Sequence, residues 1–190
     1  MVFDILKSIS PLWICWAILS FVPFGDKPLL PLVTGLVNET ASYADYILKY
    51  PAYWLAPIGA ILGHCYPLFS HFKGGKGAAT LIGTFFSTFW MAIPPLSTIF
   101  LIIVKKTRIM SISVMIANGI CVLEVWILYI LLALKVLPPI FLWLPCPGPT
   151  LEFSFITPIT FTFCYLFLVF RHSANIARLK KHEENTTNLF

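Results

Sequence analysis

From Ala78 to Val104 the chain runs for 27 residues without a charged side chain, a length of apolar sequence that a bilayer accommodates and a small soluble core does not. It is not alone. Charge-free or nearly charge-free runs also cover Ile9–Val22, Tyr50–Phe69, Ile109–Leu134 (Glu124 its one ionisable group) and Phe153–Phe170. Charged residues gather in short clusters between these runs, which is how successive bilayer spans look in sequence. With 58% hydrophobic and 11% charged residues, against about 25% charged for a soluble domain, the chain has too little polar surface to live in water.

The runs define an all-α, polytopic integral membrane bundle. Ile9–Val22 forms the first span; it ends in Val22-Pro23-Phe24-Gly25 with no small-residue cleavage site, so it is expected to remain in place and not to be removed as a signal. A Pro- and Gly-punctuated loop follows. Tyr50–Phe69 forms the second span and ends at Lys73 and Lys76. The stretch from Ala78 to Val104 is longer than one crossing needs, and Pro94-Pro95 lies near its middle. One straight span would put Lys73 and Lys76 on the side opposite Lys105, Lys106 and Arg108, against the tendency of cations to collect on one face. A hairpin of two short helices meeting at the prolines returns both clusters to the same side. Ile109–Leu134 then crosses, the Pro-rich segment Pro138–Pro149 is an external or re-entrant piece, and Phe153–Phe170 returns. This predicts about six spans in one domain over residues 1–190, with 170–190 as a tail on the cytoplasmic side.

On that layout ten cations share one face: Lys7, Lys73, Lys76, Lys105, Lys106, Arg108, Arg171, Arg178, Lys180 and Lys181. Lys27, Lys49 and Lys135 lie opposite. The net charge of +5 suits anionic lipid or a phosphorylated substrate. Nucleic acid is disfavoured, since no soluble domain presents a groove-reading element.

Two stretches hold candidate chemistry. In Lys73-Gly74-Gly75-Lys76-Gly77 the glycines leave backbone N–H groups free to face an anion, the lysines add charge, and a helix begins just after. The spacing is not that of a Walker loop. A basic turn touching lipid headgroups explains the loop alone equally simply. At the inner end of the last span, His172 and Asn175 are three apart and share a helix face, beside Arg171; a snorkelling boundary histidine is the plainer reading of His172 by itself. Ser111 and Ser113 follow the basic cluster Lys105–Arg108. Glu124 is an ionisable group within a span and has no visible partner. The five cysteines show neither CxxC nor metal-ligand spacing and read as small hydrophobes. No His-x4-Asp pattern, nucleophile elbow or Cys/His dyad is present, so a covalent mechanism has no evident nucleophile.

Gly63-His64 through Pro67, followed by Phe72-Lys73-Gly74-Gly75-Lys76-Gly77-Ala78-Ala79-Thr80, resembles the second motif of the bacterial membrane acyl-phosphate:glycerol-3-phosphate acyltransferases. Arg171-His172, Asn175-Ile176 and Arg178-Leu179 are similar to that family's C-terminal signature, Ser111 and Ser113 to its third motif, and Asp4-Ile5-Leu6-Lys7 to its Asp-x-x-Lys entry into a span. The resemblance implies transfer of a fatty acyl group from acyl phosphate to the sn-1 hydroxyl of glycerol 3-phosphate, yielding lysophosphatidic acid at the cytoplasmic face of the inner (plasma) membrane, without a cofactor. It assigns phosphate binding to Lys73, Gly74, Gly75, Lys76, Gly77 and Arg171, handling of the hydroxyl to His172 and Asn175, and support to His64, Ser111 and Ser113. The family opens with a further span and a Gly-Ser-Gly-Asn motif that this sequence lacks, so a shortened member is expected, or a catalytically degenerate or partner-dependent relative that binds anionic lipid. Oligomeric state is not legible.

Overall fold

A computed structural model describes residues 4–7, 9–10, 14, 23–24, 27–28, 51–88, 92–134, 136 and 156–187. Six helices of eight or more residues make up most of what is described: α1 (Pro51–Cys65), α2 (Ala78–Thr88), α3 (Ile93–Thr107), α4 (Met110–Ala133), α5 (Ile156–Arg171) and α6 (Ser173–Lys180). Residues 4–7 and 9–10 are helical. Pro23–Phe24 and Lys27–Pro28 pair as two-residue antiparallel strands, the one departure from helix and turn among the described residues. The expected first span, apart from a few of its residues, and the segment Pro138–Pro149 lie outside the described residues.

Local chemistry sets the helix ends. Pro67 restricts the residue before it to extended backbone, so α1 stops at Cys65, and Leu68–Ser70 forms a short 3-10 turn where the apolar run had suggested continued helix. Pro94 and Pro95 stand in the first turn of α3, where a missing N–H costs nothing and the fixed φ favours helix. Helix α2 ends at Thr88 and α3 begins at Ile93, so the prolines open the second arm. Arg108 closes α3 in a left-handed conformation (φ 57°), its N–H bonded to Val104 O at 2.8 Å. Between α5 and α6 the axis bends by 53° at His172.

Met110–Leu131 is long and apolar enough to cross a bilayer alone; at 24 residues α4 reaches about 36 Å, more than a hydrocarbon core of about 30 Å. Helix α5 packs against α1 and α4, and α4 against α3. Their shared interior holds Ile61 and Cys65 from α1, Leu81 and Phe85 from α2, Cys121 and Val125 from α4, and Phe161, Cys164 and Leu168 from α5. Phe85 and Phe161 stack at 4.5 Å, and Trp126 Nε1 donates to Thr162 Oγ1 at 2.9 Å. Three of the five cysteines are described; all are buried and unbridged.

This packing brings one end of the bundle together. Thr187 N donates to Arg108 O at 2.7 Å, so the chain after α6 lies against the turn between α3 and α4. The same tail reaches the loop between α1 and α2 through the contacts described next. Helices α2 and α3 thus leave and return at one end, as the charge distribution requires.

Candidate functional site

The loop from Lys73 to Gly77 folds back on the end of α1. Gly75 N donates to His64 O at 3.2 Å, and the fit leaves no room for side chains. A Cβ on Gly74 would collide with the His64 carbonyl oxygen and stand 2.7 Å from the Cys65 carbonyl carbon; on Gly75 it would strike His64 Nε2. Gly77 takes φ 84°, with Ile61 Cγ1 2.8 Å from where a Cβ would be. Glycine is required here by close approach and by backbone hand. His64 supports the loop with its carbonyl and its ring, and its Nδ1 lies 3.6 Å from Asp4 Oδ1. The expected effect of Gly74→Ala is a displaced loop and loss of most of whatever activity the loop supports, while Gly63→Ala, with nothing within 4 Å of its new Cβ, leaves activity unchanged and firms the helix by about 0.5–1 kcal/mol. Activity and thermal midpoint of the two variants check this.

Lys76 carries the loop to the end of α5. Its Nζ donates to Asn175 Oδ1 at 2.6 Å, a charge-assisted hydrogen bond across 99 positions of sequence. Asn175 Nδ2 donates onward to Glu184 Oε1. That carboxylate also accepts from Ser111 Oγ at 2.8 Å and, on its other oxygen, from Arg178 Nε at 2.9 Å. Asn175, Ser111 and Arg178, in that order, hold the Glu184 carboxyl below the ordinary carboxylate range. The stabilisation from this depressed group is present above the unfolded carboxyl pKa of about 4.3 and is lost as pH falls through the lower folded value. Glu184→Ala strands donors on Asn175 and Ser111 and releases the tail. A cost of about 1–3 kcal/mol is expected, read as a lowered thermal midpoint, with Glu184→Gln restoring part of it.

His172 sits at the bend and is buried. Its Nδ1 lies 2.8 Å from Leu168 O; a carbonyl only accepts, so Nδ1 carries the proton and Nε2 keeps its lone pair. Burial lowers the pKa of His172, and the positive charge of Lys76 lowers it further, against the Leu168 carbonyl and Glu184. The ring is therefore a neutral base at neutral pH.

Arg171, expected to bind phosphate, faces the loop backbone: Nη2 donates to Gly75 O at 3.1 Å and approaches Gly74 O at 3.5 Å. Its guanidinium carbon stands 5.0 Å from the centre of the Tyr66 ring, and its Nε is buried without a partner among the described residues. Lys73 is exposed beside the loop. Ser111 joins the cluster through Glu184, whereas Ser113 is buried and turns its hydroxyl to Ile109 O at 2.8 Å. Glu124 is half-buried along α4, away from this end. Sequence reasoning missed Glu184 and Tyr66.

The arrangement is a cation, a neutral base and an amide at one bundle end beside the glycine loop, where the Gly75 N–H, expected to be free for an anion, is instead taken by the His64 carbonyl; it suits an anionic substrate bearing a hydroxyl. The sequence matches the family "Glycerol-3-phosphate acyltransferase" over residues 1–182. A protein of that name from Pseudoalteromonas translucida is 30% identical over 179 residues, which is 94% of this chain and 62% of that protein. One from Mycoplasmopsis agalactiae is 28% identical, over 95% of this chain and 68% of the other. The chain thus spans somewhat less than two thirds of the first relative. Crystal structures of PlsY (YgiH), an integral membrane glycerol 3-phosphate acyltransferase, in lysophosphatidic acid and glycerol 3-phosphate forms, share the fold: both give a TM-score of 0.63 at 20% identity, covering 98% of this chain and 70% and 68% of theirs.

Proposed function

Because the chain belongs to the glycerol-3-phosphate acyltransferase family, we propose that it transfers a fatty acyl group from acyl phosphate to the sn-1 hydroxyl of glycerol 3-phosphate, forming lysophosphatidic acid and inorganic phosphate. The hydroxyl oxygen attacks the acyl carbonyl carbon, the bond from that carbon to the phosphate oxygen breaks, and the phosphate leaves with its electron pair. The hydroxyl proton passes to His172 Nε2 or to the leaving phosphate. Acyl phosphate is already activated, so no protein nucleophile is needed; the site holds two anions together and stabilises the developing charge.

Lys76 and the N–H groups of Gly74 and Gly77 bind phosphate oxygens, with Lys73 at the rim, while Gly75, whose N–H is taken by the His64 carbonyl, holds the loop in place. Asn175, fixed between Lys76 and Glu184, orients the hydroxyl. His64 and Ser111 support these groups, and Ser113 steadies the start of α4. Arg171 serves the phosphate through the loop carbonyls it holds. The reading places residues 1–190 in one membrane domain of about six spans, with the site and the tail from 170 on the cytoplasmic side of the inner membrane. The ten cations at one end support that orientation.

The observation that carries the proposal is the 2.6 Å bond from Lys76 to Asn175, which makes the glycine loop and the helix end one site. The test incubates vesicles containing the purified chain with a long-chain acyl phosphate and labelled glycerol 3-phosphate. Labelled lysophosphatidate is expected, and none when acyl-CoA replaces acyl phosphate. Product from acyl-CoA alone, or from neither donor, overturns the proposal.

A further inference from the structure

Immediately before the glycine loop the chain presents a strongly apolar exposed surface. Leu68, Phe69 and Phe72 are 73%, 101% and 59% exposed, on the 3-10 turn and the two residues after it. The backbone imposes this. Ser70 N and Phe72 N both donate to Pro67 O, at 3.2 and 3.1 Å, and Lys73 N donates to Ser70 O at 2.9 Å. His71 and Phe72 take φ 50° and 59°, a left-handed conformation that is unfavourable for a bulky side chain. The chain accepts that conformation and turns an aromatic ring outward.

Two observations name what covers the patch. The first is continuity with the apolar exterior of the bundle: Tyr66 meets Phe167 edge-on at 6.1 Å, and Phe167 lies 6.4 Å from Phe170, which is itself exposed on α5 beside exposed Leu166. The second is charge. Lys73 and Lys76 follow the patch, and Lys105, Lys106 and Arg108 stand exposed at the same end. An apolar tip followed by two lysines, at a bundle end that carries further exposed cations, is complementary to the boundary between anionic headgroups and acyl chains.

We propose that residues 66–72 are an interfacial wedge, seated in the headgroup–acyl boundary of the leaflet that adjoins the site and holding the loop at that depth. The inference rests on the proposed function for its consequence. Acyl phosphate, a charged head on a long chain, occupies the same depth, so it reaches Lys76 sideways along the wedge and not from water.

The test places a nitroxide at Phe69→Cys in a background whose five native cysteines are alanine, in phosphatidylcholine vesicles with and without phosphatidylglycerol. Oxygen is expected to relax the label as strongly as it does at Phe170→Cys, with a water-soluble nickel chelate largely excluded and exclusion greater when anionic lipid is present. Nickel access equal to that at Lys181→Cys overturns the proposal, as does an immobilised label shielded from both reagents, the signature of a protein partner. In the native-cysteine chain, Phe69→Asp is expected to raise KM for acyl phosphate by about tenfold and to leave KM for glycerol 3-phosphate unchanged; equal rises in both, or neither, count against the wedge. Accessibility needs no turnover, so a wedge found in lipid on a chain that makes no lysophosphatidate overturns the reaction alone.

Discussion

On the proposed reaction, Lys76→Ala is expected to lower the rate of lysophosphatidate formation by about 100- to 1000-fold, the range for losing one preorganised charge at a developing anion. Two losses combine. The ammonium no longer faces the phosphate, and Asn175 Oδ1 loses its 2.6 Å donor, so the amide is held by Glu184 alone. Lys76→Arg keeps the charge but replaces a point donor by a longer planar fork and recovers only part of the rate. Lys73→Ala, outside the hydrogen-bonded cluster that Lys76 joins through Asn175, costs far less. Initial rates at saturating acyl phosphate separate these outcomes, and equal rates for Lys73→Ala and Lys76→Ala contradict the distinction drawn between the two lysines.

His172→Ala lowers the rate by about 100- to 10,000-fold if Nε2 takes the hydroxyl proton. The wild-type pH profile carries the sign of this role. Burial and the Lys76 charge hold the His172 pKa below its ordinary value of 6.5, so the base is available from neutral pH upward and is lost as pH falls below about 6.5. Folding follows the same direction: the unfolded chain binds the proton first, so stability is full above the unfolded pKa and declines as pH drops through the folded one. The acid limb is expected in the wild type and absent in His172→Ala. A profile flat from about pH 5 to 8 with a loss under tenfold assigns the proton to the leaving phosphate.

Much of the site was legible because its parts are local. Three glycines among two lysines mark the loop proposed to bind phosphate, and His172 and Asn175 are three apart, the spacing of one helix face. The hairpin of α2 and α3 followed from where the cations must go, although the break precedes Pro94-Pro95 because proline is well tolerated in a helix's first turn. What sequence reasoning could not supply are contacts between distant elements. Glu184 sits in a polar tail with no periodicity, and its link to Ser111 spans 73 positions. The sole signal was a pair of acidic residues closing a basic run. Arg171 beside His172 reads as one more phosphate ligand; only the folded loop shows that Gly74 and Gly75 carbonyls and the Tyr66 ring occupy its guanidinium. Ser113 differs from Ser111 by two positions, or about 200° of helix, enough to send one hydroxyl to Glu184 and the other to Ile109 O.

Binding of labelled glycerol 3-phosphate to the purified chain in lipid nanodiscs, compared with Lys76→Ala and Asn175→Ala, addresses the common pocket without requiring turnover. Saturable binding in the wild type, competed by inorganic phosphate and weakened at least tenfold by either substitution, is the expected result. Saturable binding that survives both substitutions unchanged, or its absence from the wild type, would show that the glycine loop and the helix end do not form one anion site.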